Sequence, residues 1–373
     1  MRKVRVLVVD DSALMRQLLS QLLRSDPEIE VVGTATDPSA ARAKIQALAP
    51  DVLTLDVEMP KEDGISFLGH LMQTQPMPVV MVSSLTQRGC ETTLRALELG
   101  AVDFVTKPKL DMERGTLQLG AELIEKVKAA ARSRVRRRAV RPPAAFERAP
   151  SPPSAMTLRT TQKVIAIGAS TGGTEAIRAV LTALPPNAPP IVIVQHMPPV
   201  FTSHFARRLD GLCRVRVKEA SDGDVLLDGH VLIAPGGEAH LEVVRSGANY
   251  SVRLVKAPPV GHHRPSVDVM FHSCARAVGP NAVGAILTGM GADGARGLLA
   301  MRRAGAKTLA EDESTCVVFG MPREAIACGA AEHVVPLDRM AGTLLRAAQE
   351  ATSGRRADER DEAGQAFAPG RLG

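Results

Sequence analysis

The chain has 373 residues, a length that allows two domains of ordinary size, each with its own hydrophobic core. Its apolar fraction of 45% is typical of a soluble globular protein. The sequence contains no uninterrupted apolar run of about 18 residues, so no membrane span is expected. The N-terminus leads from a short basic start directly into a strand pattern with two aspartates, unlike a secretory signal. We therefore expect a cytoplasmic protein without direct membrane insertion.

The net charge of +6 is concentrated in one segment. Between residues 127 and 160 there are nine basic residues and one acid, Glu147, so the rest of the chain is slightly acidic. This stretch also contains five prolines and predicts an extended linker over 126–161. A basic arm for nucleic acid or an acidic membrane surface is the alternative, but Phe146 is its only aromatic residue for stacking, and we expect no nucleic-acid partner.

The five cysteines are odd in number and have no C-x-x-C spacing. We interpret them as small core residues of a protein in a reducing compartment, not as disulfide partners or zinc ligands. They are Cys90, Cys213, Cys274, Cys316 and Cys328.

Residues 1–125 alternate short apolar runs with helical patterns. Strand patterns are followed by helical ones five times, and the last helix is expected around 118–131. The predicted strands are 4–9, 29–35, 51–56, 78–84 and 102–106. Such alternation predicts a doubly wound parallel sheet, which binds ligands at the carboxyl ends of its strands.

A second β/α series occupies residues 162–350. Its strand patterns begin with KVIAIGAS and continue through PIVIVQHM, VLIAPGG and AVGAILTGMG to AEHVVPL. They predict a second α/β domain with a parallel sheet. The polar, charged segment 351–373 is predicted to be a disordered tail.

Three carboxylates should meet at one edge of the first sheet. Asp10 and Asp11 follow the first strand, and Asp56 ends the third. Like charges this close are unfavourable unless a cation joins them, and a set of oxygen ligands suits Mg²⁺. The alternative is that these acids are solvated turn residues or helix caps.

Two further side chains at strand ends favour a phosphoryl site over caps. Ser83 ends the fourth strand and Lys107 follows the fifth, where a hydroxyl and an ammonium group can bind phosphoryl oxygens. An aspartate carboxylate can also act as the nucleophile in phosphoryl transfer.

The segments VLVVDDSALMR, DVLTLDVEMPKEDGISFL, PVVMVSS and AVDFVTKP resemble the receiver domains of two-component response regulators, which have a flavodoxin-like (βα)5 fold. The resemblance implies that Asp56 accepts a phosphoryl group from a histidine kinase. It assigns Asp10, Asp11 and Asp56 to the acidic pocket for Mg²⁺, with the backbone carbonyl of Glu58 as a further ligand.

The same resemblance assigns switch functions to three residues. Ser83 and Lys107 would sense the phosphoryl group, and Phe104 occupies the position of the aromatic switch residue. It also implies a cis peptide bond between Lys107 and Pro108.

Ser170 lies in the sequence GASTGG, between a strand and a helical stretch. This is a G-x-S-x-G pattern in a strand–turn–helix context, which can present a serine nucleophile beside backbone N–H groups. Two alternatives remain open on the motif alone. One is a turn that binds dinucleotide phosphates, although GASTGG is not G-x-G-x-x-G and no acid ends the next strand. The other is a tight turn with a capping serine.

His196 is the best candidate for a base next to this turn. It ends the next strand, so its side chain and that of Ser170 can meet at the same sheet edge. We expect only His196 and His333 to adjoin apolar strands of this domain, whereas His262 and His263 are loop candidates.

Asp293 is the candidate for an orienting carboxylate. It lies in a glycine-rich loop after a later apolar strand and could hold the histidine and stabilise its imidazolium form. Its alternative role is the N-cap of the following helix, and Asp268 is the reserve candidate.

The segments GASTGG, VIVQHMP, HRPSVDV, LTGMGADGA and CVVFGMPREAI closely resemble the catalytic domain of chemotaxis protein-glutamate methylesterases (CheB). Together with the receiver, the resemblance covers nearly all of residues 1–350. The chain order Ser, His, Asp differs from that of α/β-hydrolases, so a different fold is expected.

The resemblance implies a serine-hydrolase mechanism that needs no cofactor. Ser170 would be the nucleophile, His196 the base and Asp293 the orienting acid, with Thr171 and the backbone N–H of Met290 as oxyanion contacts. The substrates would be glutamyl methyl esters of methyl-accepting chemotaxis receptors, with release of methanol, and many members also deamidate receptor glutamines.

The preferred hypothesis is that the unphosphorylated receiver covers the esterase cleft and that phosphorylation shifts the population towards open enzyme. A DNA-binding response regulator is one alternative, although residues 163–350 show no helix-turn-helix pattern. A catalytically silent adaptor is the other, and the intact serine, histidine and aspartate positions argue against it. The arginine-rich linker and the charged tail depart from the family pattern and leave the docking of the two domains open.

Overall fold

The computed structural model describes residues 2–59, 63–84, 86–107, 113–133 and 162–350, with side chains of the helix that starts at Glu113 described from Leu119 on. The predicted linker beyond residue 133, the predicted tail over 351–373 and the Lys107–Pro108 bond lie outside these ranges.

The first domain contains one parallel sheet with helices between its strands, as predicted. The strands are β1 (Val4–Val9), β2 (Ile29–Ala35), β3 (Val52–Asp56), β4 (Val79–Ser83) and β5 (Asp103–Thr106). The helices are α1 (Ala13–Arg24), α2 (Pro38–Leu48), α3 (Gly64–Thr74), α4 (Gln87–Leu99) and α5 (Glu113–Arg132). The sheet order β2-β1-β3-β4-β5 places a topological switch point between β1 and β3, where doubly wound sheets bind ligands.

Polar side chains determine where the helices of the first domain begin. Ser12, Asp37, Asp63 and Thr86 each accept a hydrogen bond from a backbone N–H of the first turn of α1, α2, α3 and α4, respectively. Because Ser12 caps α1, the neighbouring Asp11 is not needed as a cap, and its side chain stays exposed at the end of β1.

Helix α5 is longer than the sequence pattern indicated. It starts before residue 118 and runs to Arg132, past the domain boundary predicted at residue 125. Leu119, Leu123 and Val127 of this helix lie at spacings of four residues and are buried against the sheet. The helical pattern therefore ends only where the arginine-rich segment begins.

The second domain contains a seven-stranded sheet in which every pair of neighbouring strands is parallel. Its order is β14-β13-β12-β6-β7-β9-β8. The strands are β6 (Val164–Ala169), β7 (Ile191–Gln195), β8 (Arg216–Glu219), β9 (His230–Ile233), β12 (Ala282–Ile286), β13 (Lys307–Glu311) and β14 (His333–Val335). The helices are α6 (Gly173–Thr182), α7 (Phe201–Leu212), α8 (Val267–Ala277), α9 (Ala295–Arg303) and α10 (Met321–Ala327), and a last helix covers 337–350.

An antiparallel hairpin outside this sheet was not predicted. It consists of β10 (His240–Ser246) and β11 (Asn249–Val255), joined by a two-residue loop that starts with Gly247. Gly247 has φ +61°, and two-residue hairpin loops require such positive φ values. Val243 and Val252 pair across the hairpin and are buried in the same apolar cluster as Phe271 of α8.

Two expectations about individual residue types are wrong. His230 and His240 also begin strands of the second domain, so a position beside a strand does not single out His196 and His333. Cys328 is exposed, whereas the other four cysteines are buried, and all five are free thiols.

None of the helices in the described ranges is long and apolar enough to span a membrane.

Candidate active site and its receiver

The turn after β6 presents Ser170 in the predicted strand–turn–helix context. The backbone N–H of Ser170 donates to the Thr288 carbonyl at 3.1 Å, and its carbonyl accepts from the N–H of Gly173 at 2.7 Å. Gly172 has φ +78°, and a Cβ atom at Gly173 would lie 2.1 Å from the side-chain oxygen of Gln195. Only glycine fits at these two positions, and the two glycines allow the chain to make a sharp turn.

The pairing of β6 with β7 brings His196 alongside Ser170. Ala169 pairs with Gln195, and the N–H of His196 donates to the Ala169 carbonyl at 3.1 Å. The Gln195 side-chain amide, which sequence reasoning missed, donates to the Ser170 carbonyl at 2.9 Å and ties the two loops together. The two predicted residues thus follow neighbouring strands at the same carboxyl edge of the sheet, as expected for parallel strands.

Asp293 faces His196, with 2.8 Å between its Oδ2 atom and the histidine Nε2 atom. Its carboxylate also accepts hydrogen bonds from the Ser266 hydroxyl at 2.8 Å and from the N–H groups of Val267 and Asp268 at 2.8 and 3.0 Å. Burial alone would raise the pKa of Asp293, but the hydrogen bond and charge of His196, together with these N–H donors, lower it to about 2. Asp293 is therefore a buried carboxylate that holds the imidazole in one orientation.

The alternative roles considered for the two aspartates are resolved by the contacts around α8 and α9. The N-cap of α9 is Gly294 and makes no side-chain hydrogen bond, so Asp293 does not cap that helix. Asp268, the reserve candidate, accepts from the Gly297 N–H of α9 at 2.6 Å. It holds the start of α9, whereas Asp293 contacts the histidine.

The Nδ1 atom of His196 is buried and has no hydrogen-bond partner among the described residues. Since Nε2 is bound to Asp293, Nδ1 is the nitrogen available to a reacting group. The loop after β12 lies directly against the serine, because a Cβ atom at Gly289 would be 2.8 Å from the Ser170 Cβ. This contact places the backbone of Met290, the next residue, beside the candidate nucleophile.

His263 was named only as a loop candidate, but its ring stacks on that of His196. The ring centroids are 3.7 Å apart and the planes differ by 8°. Burial, followed by the charge of His196, lowers the pKa of His263 to about 4. The signal for His263 in the sequence is weak: it stands in the segment GHHRPSVD, five residues before the reserve candidate Asp268.

Thr171 is buried beneath the receiver. Its hydroxyl donates to the carboxylate of Asp103, the first residue of β5. Asp103 also lies 3.2 Å from the ammonium group of Lys126 in α5. Sequence reasoning missed this aspartate, because nothing in its local pattern distinguishes a contact between domains from a residue at the start of a strand.

The predicted switch aromatic, Phe104, lies in the same interface. Its ring stacks on Phe201 at the start of α7, with centroids 4.4 Å apart, and Lys126 lies 5.1 Å from its centroid. Arg208 of α7 makes a two-pronged ion pair with Glu98 of α4. The α4–β5–α5 face of the receiver thus packs on the catalytic domain next to Ser170.

The receiver pocket brings the predicted acids together. Asp10, Asp11 and Asp56 each offer a carboxylate oxygen, and these oxygens lie within 4.8 Å of one another. The Lys107 ammonium lies 2.8 Å from Asp56 and 3.2 Å from Asp10. Burial raises the pKa of Asp56 to about 6, with Lys107 acting in the opposite direction. The backbone N–H of Glu58 donates to Asp56 at 3.2 Å.

The predicted switch hydroxyl of Ser83 is bound to α4. It accepts a hydrogen bond from the Thr93 hydroxyl at 2.6 Å and is 3.3 Å from the Gly89 carbonyl. Because a phosphoryl oxygen can only accept, it would compete with the carbonyls of Ser84 and Gly89 for the hydrogen of the Ser83 hydroxyl. Gly89 lies on α4, the helix that also carries Glu98.

A phosphoacceptor pocket joined to a serine, histidine and aspartate site defines a response regulator with a hydrolase output domain. Family models match accordingly: the response regulator receiver domain over residues 6–116 and the CheB methylesterase over residues 165–344. The chain belongs to the family of protein-glutamate methylesterases/protein-glutamine glutaminases.

Individual relatives match over nearly their whole length. The protein-glutamate methylesterase/protein-glutamine glutaminase of Bordetella bronchiseptica is 58% identical over 345 residues, 92% of this chain and 97% of that protein. The second such protein of Pseudomonas aeruginosa is 57% identical over 353 residues, 95% of this chain and 99% of its own length. The crystal structure of the Thermotoga maritima CheB methylesterase catalytic domain is 40% identical and covers 50% of this chain and 98% of its own, with a TM-score of 0.49.

The lowered pKa of Asp293 predicts a loss of stability in acid. The carboxylate stabilises the fold above its ordinary pKa of 3.8, and this contribution is lost as the pH falls towards 2. Between pH 6 and pH 2.5 the free energy of unfolding should fall by roughly 1.5 kcal/mol more in the wild type than in Asp293→Asn. Denaturant titrations of both proteins measure this difference, and parallel declines would contradict the assignment of the low pKa to Asp293.

Proposed function

We propose that the chain is a phosphorylation-controlled hydrolase that demethylates glutamate methyl esters and deamidates glutamines on chemotaxis receptors. The names of its relatives support this reaction class. The observation that carries it is the contact between His196 and Asp293 at the sheet edge where the Ser170 turn lies. A buried imidazole with one nitrogen fixed and the other free is suited to activate a serine.

In the first half of the reaction, the Ser170 hydroxyl oxygen attacks the side-chain carbonyl of the substrate. Nδ1 of His196 takes the hydroxyl proton, and the carboxylate of Asp293 stabilises the imidazolium through Nε2. The carbonyl oxygen becomes an oxyanion, which the Met290 N–H and Thr171 stabilise. The C–O bond to the methoxy group then breaks, and methanol leaves with the proton from His196.

In the second half, water attacks the acyl-serine ester. His196 takes a proton from that water, the bond to Ser170 breaks, and the serine recovers its hydrogen as glutamate is released. A glutamine side chain follows the same course with ammonia as the leaving group. One site serves both substrates, because both pass through a tetrahedral intermediate.

The receiver controls access to this site. The carboxylate of Asp103 accepts the hydrogen bond of the Thr171 hydroxyl. Phe104 stacks on Phe201, the first residue of α7, which follows the loop that starts with His196. A substrate helix and this face of the receiver would need the same space. Phosphorylation would therefore act by shifting the population towards molecules in which the β5 contacts are broken.

Asp56 is the acceptor for a phosphoryl group from a histidine kinase: its carboxylate oxygen bonds to phosphorus as the bond from phosphorus to the kinase histidine breaks. The chemistry of the donor set fits Mg²⁺, since three acids converge and burial raises the pKa of Asp56 to about 6. Asp10, Asp11, Asp56 and the Glu58 carbonyl would hold the ion, which supplies positive charge to the acids and the phosphoryl oxygens. Lys107 is placed to bind a phosphoryl oxygen.

Replacement of the nucleophile tests the hydrolase. Ser170→Ala should reduce methanol release from methylated receptor membranes at least about 10³-fold, because no acyl-serine can form. Mass spectrometry of the receptor peptides should show loss of a methyl group from glutamates, and a conversion of amide to acid at any deamidated glutamine, with the wild type only. Full activity in Ser170→Ala would disprove the role of this serine, and wild-type protein that leaves the peptides unchanged would favour the silent adaptor.

Phosphorylation should activate the enzyme through Asp56. A small-molecule phosphodonor with Mg²⁺ should raise the rate of methanol release by the wild type and leave that of Asp56→Asn at its basal value, because the amide cannot form the acyl phosphate. Omission of Mg²⁺ should abolish the response of the wild type. An Asp56→Asn protein that still responds to the phosphodonor would show that another residue is the acceptor.

The contact between Asp103 and Thr171 should restrain the unphosphorylated enzyme. Asp103→Ala should raise basal methanol release about tenfold or more and leave the rate with phosphodonor near that of the wild type, because a hydrogen bond to a charged group contributes about 1.5–3 kcal/mol. Asp103→Asn keeps an acceptor oxygen and should give a smaller increase. Glu30→Ala, on the exposed face of the opposite edge strand β2, is the matched control and should change neither rate. Unchanged basal activity in Asp103→Ala would rule out this contact as a restraint.

A further inference from the structure

We propose that His263 is a positioning residue for His196: its ring lies flat on the imidazole of the base, keeps water from that face and restricts the rotation of the imidazole. The inference rests on the proposed hydrolase function, since it assigns a role around the same base. Among the described residues, His263 is the only ring that stacks on His196.

A tight turn presents His263 to the base. Val260 and His263 exchange backbone hydrogen bonds of 3.1 and 3.0 Å, and the two residues between them have positive φ values, +56° at Gly261 and +70° at His262. Two successive positive φ values define a two-residue reverse turn that few sequences adopt without glycine. The backbone conformation therefore fixes the direction of the His263 side chain.

The residues after the turn anchor it to the protein. The Arg264 guanidinium donates to the carbonyls of Gly237 and Ala257, the latter at 3.0 Å. Next in the chain, the Ser266 hydroxyl and the Val267 N–H bind Asp293, each at 2.8 Å. The segment 263–267 thus holds both His196 and Asp293 in place. Its first residue covers one face of the His196 ring, and its last two residues bind the Asp293 carboxylate.

The charge state of His263 suits this role. Burial and the charge of His196 lower its pKa to about 4, so the ring is neutral near pH 7 and adds no positive charge beside the imidazolium that forms during catalysis. The other groups that act on it are Asp293, which favours the charged form, and His262 and Lys126, which oppose it. A ring stacked at 3.7 Å leaves no room for a water layer above His196.

The orientation matters because His196 must use both nitrogens at once. Nε2 stays 2.8 Å from Asp293, and Nδ1 has to point at the serine. A rotation of the ring about its Cβ–Cγ bond would break both relations. A ring packed on one face restricts this rotation without adding a charge next to His196. Small misplacements of a reacting group can reduce rates about 10²-fold.

Three variants of the full-length protein separate positioning from a general effect on stability. His263→Ala removes the ring, His263→Phe keeps a flat aromatic ring that cannot titrate, and His262→Asn changes the exposed neighbour in the same turn while tolerating a positive φ. We expect kcat for methyl-ester hydrolysis, measured with phosphodonor, to fall about 10–100-fold in His263→Ala with KM within twofold of wild type. His263→Phe should restore kcat to within about fivefold of wild type. The control His262→Asn should have the kcat of the wild type.

The rate at which a fluorophosphonate labels Ser170 provides a readout that needs no receptor. It should follow the same order, because labelling depends on activation of the serine by His196. If His263→Phe is as slow as His263→Ala although its melting temperature is that of the wild type, stacking is not what His263 supplies. A rise in KM with unchanged kcat would instead make His263 a substrate contact and overturn the proposal. Neither result affects the proposed function, whose own failure would be a wild-type protein that releases no methanol.

Discussion

The buried carboxylate of Asp293 is the interaction on which the arrangement of the catalytic site depends. Removal of a charge from water costs several kcal/mol unless donors replace the solvent. Here four donors do so: the imidazole of His196, the Ser266 hydroxyl and two backbone N–H groups at the start of α8. The start of a helix favours a negative charge, so α8 stabilises the ionised form that the histidine requires. The segment before α8 is fixed by the same contacts, and with it His263.

The parts of the site that follow from the topology of parallel sheets could be predicted from the sequence. Apolar runs of strand length marked where each strand ends, and neighbouring parallel strands end at the same edge. That reasoning alone brings Asp10 close to Asp56 and Ser170 close to His196, and both pairs of elements are neighbours in the sheets. The β10–β11 hairpin escaped prediction, because its strands carry charged and polar residues on the exposed side and have no long apolar run.

Contacts that depend on how loops and domains pack were not predictable in this way. Local sequence allowed Asp293 to be either the orienting acid or a helix cap, with Asp268 as the reserve candidate for the orienting acid. The difference arises only because α8 and α9 lie side by side: Asp268 at the start of α8 accepts from Gly297 of α9, and Asp293 before α9 accepts from Val267 of α8. Each carboxylate therefore accepts a hydrogen bond from a backbone N–H of the other helix. His263 and Asp103 were missed for the same reason, since their partners are distant in sequence.

The position of β5 at the edge of the receiver sheet explains how two consecutive residues can both contact the catalytic domain. Successive side chains of a strand point to opposite faces, so in a central strand Asp103 and Phe104 would be covered by different layers of the receiver itself. At an edge both can reach outwards, one to Thr171 and the other to Phe201. Lys126 of α5 joins them, because its ammonium group is 3.2 Å from the Asp103 carboxylate and 2.6 Å from the Phe104 carbonyl. A displacement of β5 or α5 would thus weaken the polar and the aromatic contact together, and a small change at the phosphorylation pocket could release the catalytic site in one step.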